Sequence, residues 1–123
     1  MGTWTLTIER WHPATVNELL RSVRTRIRRK KLDREVIMAY TWQQKIPKAQ
    51  GKRRLSLHIV MGKGQRGADP DAYFKSLNDA CVCSGLLVDD SRRYVELTPV
   101  TFSRDWQHWG TVLTVEDRHG EYP

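Results

Sequence analysis

The chain is poor in cysteine: its 123 residues carry two, Cys81 and Cys83. Two residues apart is too close for an ordinary bridge within one element, and no four-ligand zinc spacing exists. Both read as small apolar fillers in a reduced cytosol. No apolar run approaches the roughly 18 residues of a membrane span, so no membrane partner is expected. The opening MGTWTLTIER lacks a basic region followed by an apolar stretch, so no signal peptide is expected. Myristoylation is not expected either, because its motif needs Ser or Thr where Leu6 stands. The glycine-rich loop GKGQRGA, residues 62–68, is followed by no GK[ST] and reads as a flexible basic loop rather than a nucleotide cradle. There are no repeats and no low-complexity segments.

Acids are also scarce. Lys and Arg number 21 against 14 Asp and Glu, for a net charge of +7 and a pI near 9.8. That balance points to a polyanion, nucleic acid first and an anionic membrane surface second. The cations crowd between residues 21 and 34: Arg21, Arg24, Arg26, Arg28, Arg29, Lys30, Lys31 and Arg34 stand against one acid, Asp33. Such a run is either a solvated helix end or a phosphate-tracking surface.

Strict alternation predicts a half-buried strand over TWTLTIE, residues 3–9. Pro13 breaks it. Thr15 with Glu18 has capping-box spacing and opens a helix. Its apolar stripe of Val16, Leu19, Leu20, Val23 and Ile27 is expected to face the core, and the helix extends to about Gln44. KIPKAQGKRR then reads as a basic, mobile loop. Further strands are expected over residues 53–62, 94–102 and 110–117, and a second helix from Pro70 to about Ser84, with Tyr73, Leu77 and Cys81 on its inner face and Gly85 as C-cap. The order β-α-β-α-β-β predicts one α+β domain over residues 1–123, a mixed sheet with helices packed on it.

Against this basic background, residues 69–90, DPDAYFKSLNDACVCSGLLVDD, collect five aspartates and one lysine. Two carboxylates about 4 Å apart repel by roughly 4 kcal/mol at an effective dielectric of 20. Either they point apart or a cation belongs between them. Asp69 before Pro70 is an ordinary helix start, and Asp71, Lys75 and Asp79 could form a surface ion-pair ladder. The same residues suit a hard cation. Mg²⁺ is commonly held by a few carboxylates plus substrate phosphate, and a lysine can assist proton transfer or pair with a phosphate oxygen.

The stretch resembles the RusA family of Holliday junction resolvases, whose pattern D-x-D-x-x-x-K-x-x-x-D-A-x-x-x-x-G-x-x-x-D-D it fills with Asp69, Asp71, Lys75, Asp79, Ala80, Gly85, Asp89 and Asp90. HPATVNELLR and GTVLTVED extend the likeness along most of the chain. The resemblance implies a RusA-like fold and a homodimeric, metal-dependent endodeoxyribonuclease that nicks four-way DNA junctions symmetrically in recombination and repair. It implies metal-binding and catalytic roles for Asp69, Asp71 and Asp90, a catalytic role for Lys75, and supporting roles for Asp79 and Asp89 as caps or as an ion pair with Lys75. Mg²⁺ is the implied cofactor, with Mn²⁺ as a substitute. Arg21, Arg24, Arg28, Arg29, Lys30 and Lys31 are the expected DNA contacts. The expected location is the cytoplasm at the nucleoid, in a bacterial or phage-encoded setting. The chain departs from the family at Ala72, where many members carry Asn.

Two cuts related by junction symmetry need two sites related by a twofold axis. Trp106 and Trp109, in the segment before the last strand, read as core filling, with dimer contact or base stacking as alternatives. His12, His58, His108 and His119 receive no catalytic role. Rival readings are a non-catalytic branched-DNA-binding module and a nuclease for flaps, forks or structured RNA.

Overall fold

A computed structural model describes residues 2–118. Met1 and His119 lie outside the described residues. The elements are β1 (Thr3–Glu9), α1 (Val16–Leu19), α2 (Val23–Gln43), β2 (Arg53–Met61), a 3₁₀ turn (Pro70–Tyr73) running into α3 (Phe74–Ser84), β3 (Val95–Leu97), β4 (Thr101–Arg104) and β5 (Gly110–Asp117). The architecture is α+β with a five-stranded mixed sheet in the order β1-β5-β2-β3, and β4 pairs with β2 beyond β3. β5 runs antiparallel to both β1 and β2, while β3 and β4 run parallel to β2.

Period-2 patterning sets the register. Leu6 faces Leu113, and Leu113 faces Leu57, so one apolar row crosses three strands. Ile8, Leu55, Ile59 and Val115 join it, and Ile37 of α2 with Leu77 and Cys81 of α3 complete the core from the helical side. Gly110 begins β5 because a Cβ there would run into the carbonyl oxygen of Ile8.

Three expectations need correction. The first helix is not continuous. α1 lasts one turn behind an intact Thr15–Glu18 capping box, Leu20 ends it, and Ser22 caps α2 anew by accepting the Thr25 N–H at 3.0 Å. The redirected chain takes the expected apolar stripe away from the core. Leu19 is buried, but Leu20, Val23 and Ile27 are 71%, 62% and 62% exposed. α2 buries Asp33, Ile37 and Thr41 instead.

The strand expected over 94–102 is two pieces, interrupted at Thr98–Val100 where Pro99 offers no N–H to a ladder. The segment expected to be a mobile loop is tethered. Ala49 N–H donates to Gly85 O at 2.8 Å, and Ile46, Ala49 and Arg53 are buried.

Candidate metal and DNA site

The acidic stretch is positioned by the packing of α3. Tyr73, Leu77 and Cys81 are buried as expected, which turns Lys75 to solvent one residue pair away. The Tyr73 hydroxyl accepts the Ala68 N–H at 3.0 Å and pins the chain just before Asp69. Burial pushes the Cys81 thiol up to about 12, in keeping with an inert filler, while Cys83 is exposed.

Asp69 occupies the N-cap position of the 3₁₀ turn, and its backbone oxygen accepts the Ala72 N–H at 2.9 Å. Its carboxylate makes no capping bond. Asp71 is exposed and lines a cleft of about 320 Å³ with Pro70, Phe74 and residues 97–100 of the interrupted edge strand. Lys75 follows one turn later and is exposed.

At the far end, Gly85 takes a left-handed φ of 85° and ends α3. Leu86 and Leu87 are buried and return the chain to the sheet. Asp89 and Asp90 then emerge exposed, and Asp89 Oδ1 accepts the Asp90 N–H at 2.8 Å. Asp89 thus supports Asp90 as a local cap. Asp79 does not pair with Lys75: Arg34 Nε donates to Asp79 Oδ2 at 2.8 Å, joining α2 to α3.

The structure therefore separates the acids by use. Asp33, Asp79, Glu96 and Asp117 are engaged in ion pairs or hydrogen bonds. Among the described residues, the carboxylates of Asp69, Asp71 and Asp90 and the ammonium of Lys75 have no such partner. As donors these carboxylates fit a hard oxygen-liganded cation. They are not gathered into a closed cage, for among the described residues no three His, Cys, Asp or Glu side chains form a metal-holding group.

The basic helix divides too. Arg21, Arg24, Arg28 and Lys31 are exposed and Lys30 is half-buried. Arg29 turns inward: its Nη2 donates to His12 O at 3.1 Å, and its Nε lies 3.4 Å from Glu18. It fastens α2 to the α1 region and is not a free phosphate contact. Further exposed cations flank the acids, Lys63 and Arg66 before Asp69 and Arg92 and Arg93 after Asp90. The arginine pair in DDSRR was visible in the sequence as cations adjoining the last two acids.

Sequence reasoning also missed two buried charges. Asp33 accepts bonds from Trp11, Ala14 and Ser76. Burial raises its pKa, against the opposing pull of those bonds and of Arg29. Arg53 donates to Asp117, Leu86 O and Pro47 O, with its guanidinium 4.9 Å from the Trp4 ring centroid. Trp106 is 63% exposed with the Lys63 ammonium over its ring, so it does not fill the core; half-buried Trp109 packs on His12.

No family model matches the chain, and no curated protein matches it.

Proposed function

We propose that this chain is a Mg²⁺-dependent endonuclease of branched DNA, similar to the RusA resolvases, that nicks four-way junctions as a homodimer. One observation carries the reading: within and beside one helix, Asp69, Asp71, Asp90 and Lys75 face solvent with no ion-pair or hydrogen-bond partner for their charged groups, while Asp33, Asp79, Glu96 and Asp117 are paired. Capping and ion-pair roles, the ordinary explanation of such residues, do not account for them.

Asp69, Asp71 and Asp90 would hold the cation. When bound, it supplies Lewis acidity and neutralises charge on the phosphate. Without it the carboxylates repel one another, which is consistent with their open arrangement. Lys75, four residues after Asp71 and exposed, would pair with a non-bridging phosphate oxygen or donate a proton. Arg24 and Arg28 on α2, with Arg92 and Arg93 beside Asp90, would bring the phosphate backbone in by counterion release.

The open acid arrangement favours a second reading, a branched-DNA-binding module without cleavage. A labelled mobile four-way junction incubated with Mg²⁺, with Mn²⁺ and with EDTA separates the two, beside the variant Asp90→Asn. Paired symmetric nicks that require the metal and vanish in the variant support the resolvase. Binding without nicks under either metal supports the module, and nicks on flaps, forks or structured RNA alone reassign the substrate.

A further inference from the structure

The outer side of α2 carries a stripe that the fold leaves uncovered. Val23, Ile27, Lys31, Arg34, Met38 and Trp42 follow at helical spacings of three and four, and all are exposed. Its apolar members are 62%, 62%, 48% and 86% exposed, unusual for large side chains on the main helix of a domain. The buried Asp33, Ile37 and Thr41 lie about a quarter-turn round the same helix, so the stripe runs beside the face that meets α3, to which its Arg34 is bonded, and turns outward from it.

The stripe is symmetric about the midpoint between Leu32 and Asp33. Val23 mirrors Trp42, Ile27 mirrors Met38, and Lys31 mirrors Arg34. Two identical helices packed antiparallel about a twofold axis bring each residue against its mirror position. Two copies of α2 would then set Val23 against Trp42 and Ile27 against Met38 at both ends, small side chains meeting large ones.

Charge fits the same pairing. The centre of the stripe holds Lys31 and Arg34, and with them Asp79, bonded to Arg34, and exposed Glu35, so it is formally neutral. In the antiparallel pairing Lys31 of one copy comes next to Glu35 of the other. An anionic polymer or membrane would call for net positive charge in the stripe; that charge lies to its side, on Arg24 and Arg28.

We infer that this face of α2 is a homodimer seam that joins two copies of the chain through their antiparallel α2 helices. The inference rests on the dimer part of the proposed function and not on cleavage. It takes Lys31 out of the DNA-contacting set and leaves Arg24 and Arg28 on the rim. Because the chain carries +7, salt screens the repulsion between copies, so added salt leaves the dimer intact while it weakens contacts to any polyanion.

The test is sedimentation of the full chain at micromolar concentration, without DNA or Mg²⁺, at low and high salt. A dimer is expected at both, and a monomer for Ile27→Asp and for Trp42→Asp with unchanged circular dichroism. In a Cys83→Ser background, Ile27→Cys with Met38→Cys should oxidise to a cross-linked dimer, and Ile27→Cys alone should not. A monomeric wild type, a dimer indifferent to both aspartate variants, or a double-cysteine chain that fails to cross-link overturns the seam. If the wild type is monomeric and the aspartate variants instead lose binding to anionic vesicles or to DNA, the stripe belongs to that partner. The nicking assay is read separately: loss of nicking leaves the seam standing, a dimer indifferent to the aspartate variants leaves the dimeric nuclease standing with another interface, and a monomeric wild type overturns the seam and the dimer part of the proposed function together.

Discussion

The indole N–H of Trp11 donates to Asp33 Oδ1 at 3.0 Å, tying the loop after β1 to the middle of α2. The other carboxylate oxygen accepts the Ala14 N–H at 2.8 Å and the Ser76 hydroxyl at 2.7 Å. One buried carboxylate thus joins the loop, α2 and α3.

Replacing it should be expensive. Asp33→Ala strands buried donors and leaves Arg29 without its neighbour at 3.9 Å, and a loss of about 3–5 kcal/mol is expected from urea unfolding. The pH dependence has a definite sign. The folded carboxyl holds its proton more tightly than the unfolded chain, whose value is near 3.8. Stability relative to the non-titrating Asp33→Asn therefore falls as pH rises from about 3.8 through the raised folded value, then levels off. Paired urea titrations across acidic pH check this.

Arg28 and Arg29 are neighbours with opposite tasks. Arg28→Ala should leave stability within about 0.5 kcal/mol and lower the salt slope of junction binding by about 1. Arg29→Ala should cost about 1–3 kcal/mol of stability, because its fork holds His12 O and pairs with Glu18. Unfolding curves and binding measured at several salt concentrations separate the two.

At the site, Lys75→Ala should reduce nicking by about 10²–10⁴-fold while junction binding persists. Asp79→Ala removes only a surface partner of Arg34, so it should shift stability by no more than about 1 kcal/mol and leave the nicking rate near wild type. Single-turnover assays on a four-way junction give both numbers. Equal losses in the two variants would remove Lys75 from the chemistry.

Arg53→Lys keeps the charge but not the fork that reaches Asp117, Leu86 O and Pro47 O together. A destabilisation of about 2–3 kcal/mol is expected in thermal or urea unfolding.

Strands were the most legible part of the sequence. β1 and β5 match their alternating segments residue for residue, since period-2 patterning needs no distant information. The inner face and cap of α3 were legible for the same reason. The break at Leu20–Ser22 was not, because an apolar stripe states that a face wants covering and not what covers it. Val23 and Ile27 continued the stripe in sequence and left the core in space. Asp33 and Arg53 were hidden because they sit among residues of like type to a surface run. The signals available were faint: a single acid four residues after Arg29, and an arginine in register with Leu55 and Leu57. For the candidate site, the outward side of Asp71 and Lys75 followed from the helix pattern, whereas Asp69 and Asp90 lie outside the helix and their exposure did not. The capture of Asp79 by Arg34 did not, since it depends on how α2 crosses α3.

The sheet order bears on how the chain reaches its structure. Among the described residues, β1 pairs with β5 alone, and Leu6 meets Leu113 across nearly the whole sequence. The first strand made therefore waits for the last, and β5 must insert between β1 and β2 to close the sheet. Loop-closure entropy is incurred before these distant pairings give anything back, so sheet closure should set the folding rate. Until β5 is synthesised, Leu6 and Ile8 remain without the neighbours that bury them, and a nascent chain at that stage is a substrate for chaperones and an invitation to aggregation.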